Sequence, residues 1–172
     1  MALKLKQFIN IEWKNHERLS CKRQNFKKWL CNTNSVSLFL HDKVGKEIYF
    51  KEISSSNNSH GFLREAIVYR SNKPLIYAQT QFPIELTNKL TGLAELGDNS
   101  LGEFLIQNDQ FFKKDMSFGY LKQFQQLPAE IQKNQEINKC DLLICRHSIL
   151  AICGYKAELV EVFLPEFEKL FF

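Results

Sequence analysis

From Phe62 to Val68 the chain alternates Phe62, Arg64, Ala66, Val68 against Leu63, Glu65, Ile67, Tyr69. A period of two predicts a strand with each set on its own face. Ser71-Asn72-Lys73-Pro74 is turn chemistry, and the β-branched and aromatic run Leu75–Phe82 returns as a second strand, so Gly61–Pro83 reads as a hairpin. Ala157–Pro165 alternates again, with Leu159, Glu161 and Phe163 on one face and Val160, Val162 and Leu164 on the other. Asp141–Cys153 is apolar enough for a long buried strand, turning at Gly154-Tyr155-Lys156 into the last one. Lys46–Ile53 and Lys113–Phe124 read as further strands, although the second alternates less clearly.

Helical spacing is confined to short stretches. Phe26, Trp29 and Leu30 mark Gln24–Cys31. Ser35 is placed to cap a short helix over Val36–His41, which Gly45 can end. Leu86, Leu90 and Leu93 predict a helix over Thr87–Glu95, and Ser100 is placed to cap another over Leu101–Gln107. Residues 1–20 show no period and are expected to wrap the surface. Ser54–His60 (SSSNNSH) is expected to be a mobile loop, and Leu127–Lys139 a surface excursion with one helical turn. Helices first and in the middle, with hairpins elsewhere, predict an α+β fold with an antiparallel sheet in a single domain spanning 1–172.

Two charges break this pattern. Arg64 shares a face with Phe62, Ala66 and Val68, where a guanidinium without an anion is costly. Its partner is either an acidic side chain or a ligand. Glu161 is likewise a carboxylate on an apolar strand face. One inward Arg and one inward Glu, far apart in sequence, point to a small closed polar site suited to a compact anion that also carries a hydroxyl.

Composition narrows the setting. The 172 residues include 15 Phe, enough for an aromatic core. No run of 18 apolar residues is present, so no membrane-spanning helix is expected. Five cysteines without regular spacing fit a reducing compartment, and the chain reads as cytoplasmic. The net charge of +4 is concentrated at the start, where residues 1–30 hold eight Lys or Arg against Glu12 and Glu17. Such a basic extension over residues 1–24 suits a solvated face, or weak contact with a membrane surface. Nucleic-acid binding is not expected from this cluster alone. The Cys and His residues lack CxxC, HxxxH or HExxH spacing, so no metal is expected. Neither GxGxxG nor GxxxxGK[ST] occurs, so no nucleotide cofactor is implied.

In order along residues 25–167 stand Trp29-Leu30 with Ser35, Leu63-Arg64-Glu65, Lys73-Pro74 through Thr80 and Pro83, Leu96-Gly97 with Leu101-Gly102, and Glu161-Val162-Phe163-Leu164-Pro165. Together they resemble the chorismate pyruvate-lyase (4-hydroxybenzoate synthase) family. The resemblance implies a curved antiparallel sheet with helices and flap-like loops closing over a buried ligand. It implies elimination of pyruvate from chorismate to give 4-hydroxybenzoate for ubiquinone biosynthesis, without a cofactor, by a monomer. It assigns Arg64 to the aromatic carboxylate, Glu161 to the ring hydroxyl, and backbone amides near Val36 and Leu101 to further ligand contacts. Gln79 falls where the family often has the Arg of Gly-Arg-Thr, which adds Gln79 to the expected substrate contacts and leaves the site short of a second basic residue. Ser100 stands where the family usually has Pro, and Leu127–Lys139 looks longer than usual. Burial is expected to raise the Glu161 pKa. Two other readings of the same motifs are a lyase acting on a chorismate relative and a non-catalytic sensor of small aromatic acids. The sensor domains of this fold in transcription regulators follow a DNA-binding module, for which the roughly 24 residues before the first motif are too few.

Overall fold

A computed structural model describes residues 8, 10–18, 24–31, 35–108, 111–122, 124–134, 137 and 142–171. Two short helices, α1 (Gln24–Leu30) and α2 (Val36–Val44), precede the strands β1 (Ile48–Asn58), β2 (Gly61–Arg70) and β3 (Lys73–Phe82). Helices α3 (Ile84–Lys89) and α4 (Leu101–Gln107) follow, then β4 (Phe111–Leu121), α5 (Ala129–Gln132), β5 (Leu143–Ile152), β6 (Tyr155–Phe163) and α6 (Pro165–Glu168). The strands form one six-stranded antiparallel sheet in the order β1-β2-β3-β6-β5-β4. The fold is thus α+β with short helices on an antiparallel sheet.

The β2–β3 hairpin turns at Ser71 and Asn72, whose φ values of 46° and 65° give the doubly left-handed turn that matches strand twist. Cys153 and Gly154 (φ 51° and 84°) do the same between β5 and β6. One face of the sheet is covered by α1, α2, α4 and α6. Phe26, Leu30, Leu40 and Phe167 pack on Val68, Ile76 and Phe163 at one end of it, and Leu86, Leu93 and Leu105 pack on Phe62, Phe82 and Leu150 at the other. The opposite face buries Ile67, Tyr77, Cys145, Val160 and Val162 beneath Phe8, Ile11, Leu127, Ile131 and Ile137.

Four expectations need correction. Ser54–Asn58 is not a loop: it extends β1, pairing Ser54 with Glu65 through to Asn58 with Gly61. At a sheet edge the ladder satisfies the backbone while polar side chains stay in water, so no apolar pattern announces the strand. The helix expected over Thr87–Glu95 is instead α3, which starts after Pro83 and ends at Lys89. Leu86 and Leu93 are buried all the same, the latter from a turn. Ser35 is the N-cap of α2 but makes no side-chain capping bond. The described part of residues 1–20 contributes to the core, since Phe8 and Ile11 are buried and Lys14 bridges to Phe118 of β4. The excursion after Leu127 has the expected single helical turn, anchored by buried Ile131 and Ile137.

Candidate active site

Strand alternation and register together build the site's floor. On the helix-covered face Arg64 pairs across to Thr80, Ala66 to Ala78 and Val68 to Ile76. Ala78 then meets Glu161, and Glu161 meets Arg146 of β5. The row Ala66–Ala78–Glu161 places two methyl groups beside a carboxylate, and these small side chains leave a cavity of about 80 Å³. Arg64, Thr80, Glu161 and Lys113 line it, along with apolar Phe50, Leu105 and Leu150.

The roof is formed by the first residues of α2 (Val36, Ser37) and α4 (Leu101, Gly102), together with Ser35. Ser100 caps α4 by accepting from the Glu103 amide at 3.2 Å and donates to Ser37 Oγ at 2.6 Å, tying the two helix starts together. A side chain at 102 could not be accommodated: a Cβ there would lie 2.3 Å from Ser35 Oγ. Gly102 therefore permits the close approach of α4 to α2.

Arg64 is held at one end. Its Nε donates to Glu52 Oε2 at 3.0 Å, and Nη2 donates to the carbonyls of Gly97 (2.8 Å) and Asn99 (3.0 Å). Burial lowers its pKa, opposed by the Glu52 carboxylate. Glu161 marks the other end. Arg146 Nε donates to its Oε2 at 2.7 Å, and Lys113 Nζ lies 3.8 Å from the same oxygen. Arg146 also donates to the Leu30 carbonyl at 3.0 Å and stacks its guanidinium near Trp29 and Phe163, so the arginine links α1 to the sheet. Burial pushes the Glu161 carboxyl up, but Arg146 and Lys113 together outweigh it and hold the pKa below its ordinary value. The expected upward shift is overturned because two cations, unseen in the pattern, face this carboxylate. Lys113 is pushed down to about 8, by burial first and by Arg146 second, with Glu161 opposing.

Of the residues named from the sequence, Arg64, Glu161, Val36 and Leu101 line this cavity together. Gln79 does not. It lies between Ala78 and Thr80 on β3 and therefore faces the other side of the sheet, where Nε2 donates to Glu65 Oε1 at 3.0 Å. The site is not short of basic residues either, because Lys113 and Arg146 supply two. The sequence carries a signal for Arg146 as well, since it stands between Ile144 and Leu150 on one face of a largely apolar strand, as Arg64 and Glu161 do on theirs. Ser54–Asn58 belongs to β1 and lines no part of the cavity, whose roof is α2 and α4. Among the described residues no group of three or more His, Cys, Asp or Glu is placed to hold a metal ion.

A cavity between an antiparallel sheet and two helix starts, charged at both ends and apolar between, is a small-molecule site. The family model for chorismate lyase matches residues 7–171, and the chain belongs to that family. Among its relatives is a probable chorismate pyruvate-lyase of Psychromonas ingrahamii, 30% identical over 83% of each chain. A protein of the same description from Pseudoalteromonas translucida is 30% identical over 59% of this chain and 56% of that one. One from Pseudoalteromonas atlantica is 23% identical over 91% and 88%.

Proposed function

We propose that this enzyme eliminates pyruvate from chorismate to form 4-hydroxybenzoate, the aromatic acid used in ubiquinone biosynthesis. The observation that carries the reading is the presence of Arg64 and Glu161 at opposite ends of one buried cavity, as a para-hydroxy acid requires. Arg64 takes the ring carboxylate, with the backbone amides at Val36 and Leu101 closing over the ligand. Glu161, ionised at neutral pH, accepts from the ring hydroxyl.

The reaction needs little beyond positioning. The ring carbon bearing the hydroxyl loses its hydrogen, the neighbouring carbon–oxygen ether bond breaks, and the ring becomes aromatic. Passed to the methylene end of the enolpyruvyl group, that hydrogen completes the methyl of pyruvate, while the electrons of the broken ether bond form its carbonyl. Atoms balance with no co-reactant. A cavity with fixed charges holds the side chain in the reactive arrangement. Two charges on a buried product also slow its release, so product inhibition is expected. The test is incubation with chorismate, followed by assays for both pyruvate and 4-hydroxybenzoate. Equimolar release supports the reading. Tight 4-hydroxybenzoate binding without pyruvate release would make the protein a binder of aromatic acids instead.

A further inference from the structure

We propose that Lys113 holds the carboxylate of the substrate's enolpyruvyl group, making it the residue that separates substrate from aromatic product. The inference rests on the chorismate reading above and adds to it a contact that the product cannot make.

The three cations near the cavity are committed to different degrees. Arg64 is engaged by Glu52 and two carbonyls. Arg146 is engaged by Glu161, the Leu30 carbonyl and two aromatic rings. Lys113 is different. Its side chain is 3% exposed and lines the cavity, yet among the described residues its only ionic contact is Glu161 at 3.8 Å, beyond hydrogen-bond length. The Glu161 end thus carries two cations against one carboxylate. A buried ammonium with three donors and no close acceptor is costly unless an anion arrives.

The substrate brings one to this place. In chorismate the hydroxyl and the enolpyruvyl ether are on adjacent ring carbons. A ligand whose hydroxyl meets Glu161 therefore puts its enolpyruvyl carboxylate next to that oxygen, within reach of Lys113. Elsewhere the lining offers apolar Phe50, Leu105 and Leu150 and the neutral hydroxyls of Ser35, Ser37 and Thr80, so apart from Arg64, which takes the ring carboxylate, it holds no other cation. A carboxylate held there also fixes the methylene carbon that receives the ring hydrogen. 4-Hydroxybenzoate has lost the enolpyruvyl group and leaves Lys113 without its anion.

The test compares wild type with Lys113→Met and Lys113→Arg. Chorismate turnover is read by pyruvate release, chorismate affinity by competition against 4-hydroxybenzoate, and product affinity by direct titration. Losing a charged hydrogen bond should weaken chorismate by about 10- to 100-fold in Lys113→Met. Product affinity should stay within about threefold, because Glu161 keeps Arg146. Lys113→Arg should recover most of the chorismate affinity. Wild-type kcat/KM should fall above about pH 8 as the lysine, facing Glu161 of β6 and Arg146 of β5, loses its proton. Lys113→Met should lack that limb. Equal weakening of substrate and product, or no weakening of either, overturns the proposal. Selective weakening of chorismate in a protein whose wild type releases no pyruvate would instead uphold Lys113 and overturn the lyase reading.

Discussion

The two faces of the central sheet bury polar side chains in quite different states, although the same strands supply both. On the outer face Glu65 uses both carboxylate oxygens, accepting from Tyr77 Oη at 2.9 Å and Gln79 Nε2 at 3.0 Å. Nearby, Gln81 accepts from Asn58 at 3.0 Å, and His147 lies 3.4 Å from Glu158 beneath the Trp13 ring. None of these residues lines the cavity. On the inner face, one residue along from Glu65, Arg64 opens a row of charges around empty volume, and the cations near Glu161 outnumber it. Buried polarity alone does not mark a site. A carboxylate with both oxygens engaged, as Glu65 is, fixes the fold even though Gln79 Oε1 beside it has no hydrogen-bond partner among the described residues. A cavity with surplus charge instead retains an energetic reason to take a ligand.

The largest effect expected from breaking this contrast is at Arg64. Arg64→Ala removes the proposed partner of the ring carboxylate and also strips Glu52, Gly97 and Asn99 of their donor. Breaking a buried charge pair costs about 3–5 kcal/mol. We expect 4-hydroxybenzoate binding to be lost in titration and the unfolding midpoint to fall. Near-normal product affinity would show that the inner face binds some other way.

A smaller effect of opposite sign is expected for the stability of Lys113→Met. The folded-state pKa of Lys113 is depressed, from 10.5 to about 8. Between those values the unfolded chain holds more protons than the folded one, so wild-type stability gains from this group as pH rises through the window. Below pH 8 the buried charge is a net burden, and Glu161 keeps Arg146 as its partner when the ammonium is removed. Lys113→Met should therefore unfold at higher temperature than wild type at pH 7, with the gap closing toward pH 10.5. A variant less stable at pH 7 would mean that Lys113 is satisfied as Glu65 is on the outer face.

The least effect should come from Gln79→Arg. On the outer face an arginine would meet Glu65, changing stability by no more than about 1 kcal/mol, and the KM for chorismate should stay within about twofold. A several-fold fall in KM would put position 79 in touch with substrate and collapse the division between the faces.

Much of this division was readable along the chain. Alternation on β2 and β6 isolated Arg64 and Glu161, and their order among short motifs matched a family. The same alternation set Gln79 opposite Ala78 and Thr80, so its true face was legible and only the family pattern pointed the other way. Lys113 was not legible. Beside it Asp115 takes φ 47°, and the β4–β5 register shifts between Lys114 and Ser117. Across such a bulge the period of two no longer says which face a side chain takes.

Local rules acting over a few residues were enough for the hairpin turn at Ser71-Asn72, the Ser100 cap and the inward faces of β2 and β6, because turn, cap and alternation preferences are short-range. Which charges meet was decided by folding alone. Arg146 reaches Glu161 through the β5–β6 register, and Lys113 arrives at the same carboxylate from the far side of a bulge. Glu161 is ionised rather than neutral for that reason: burial is a property of one residue, whereas the opposing Coulomb attraction depends on distances between residues that only the assembled sheet brings within 4 Å.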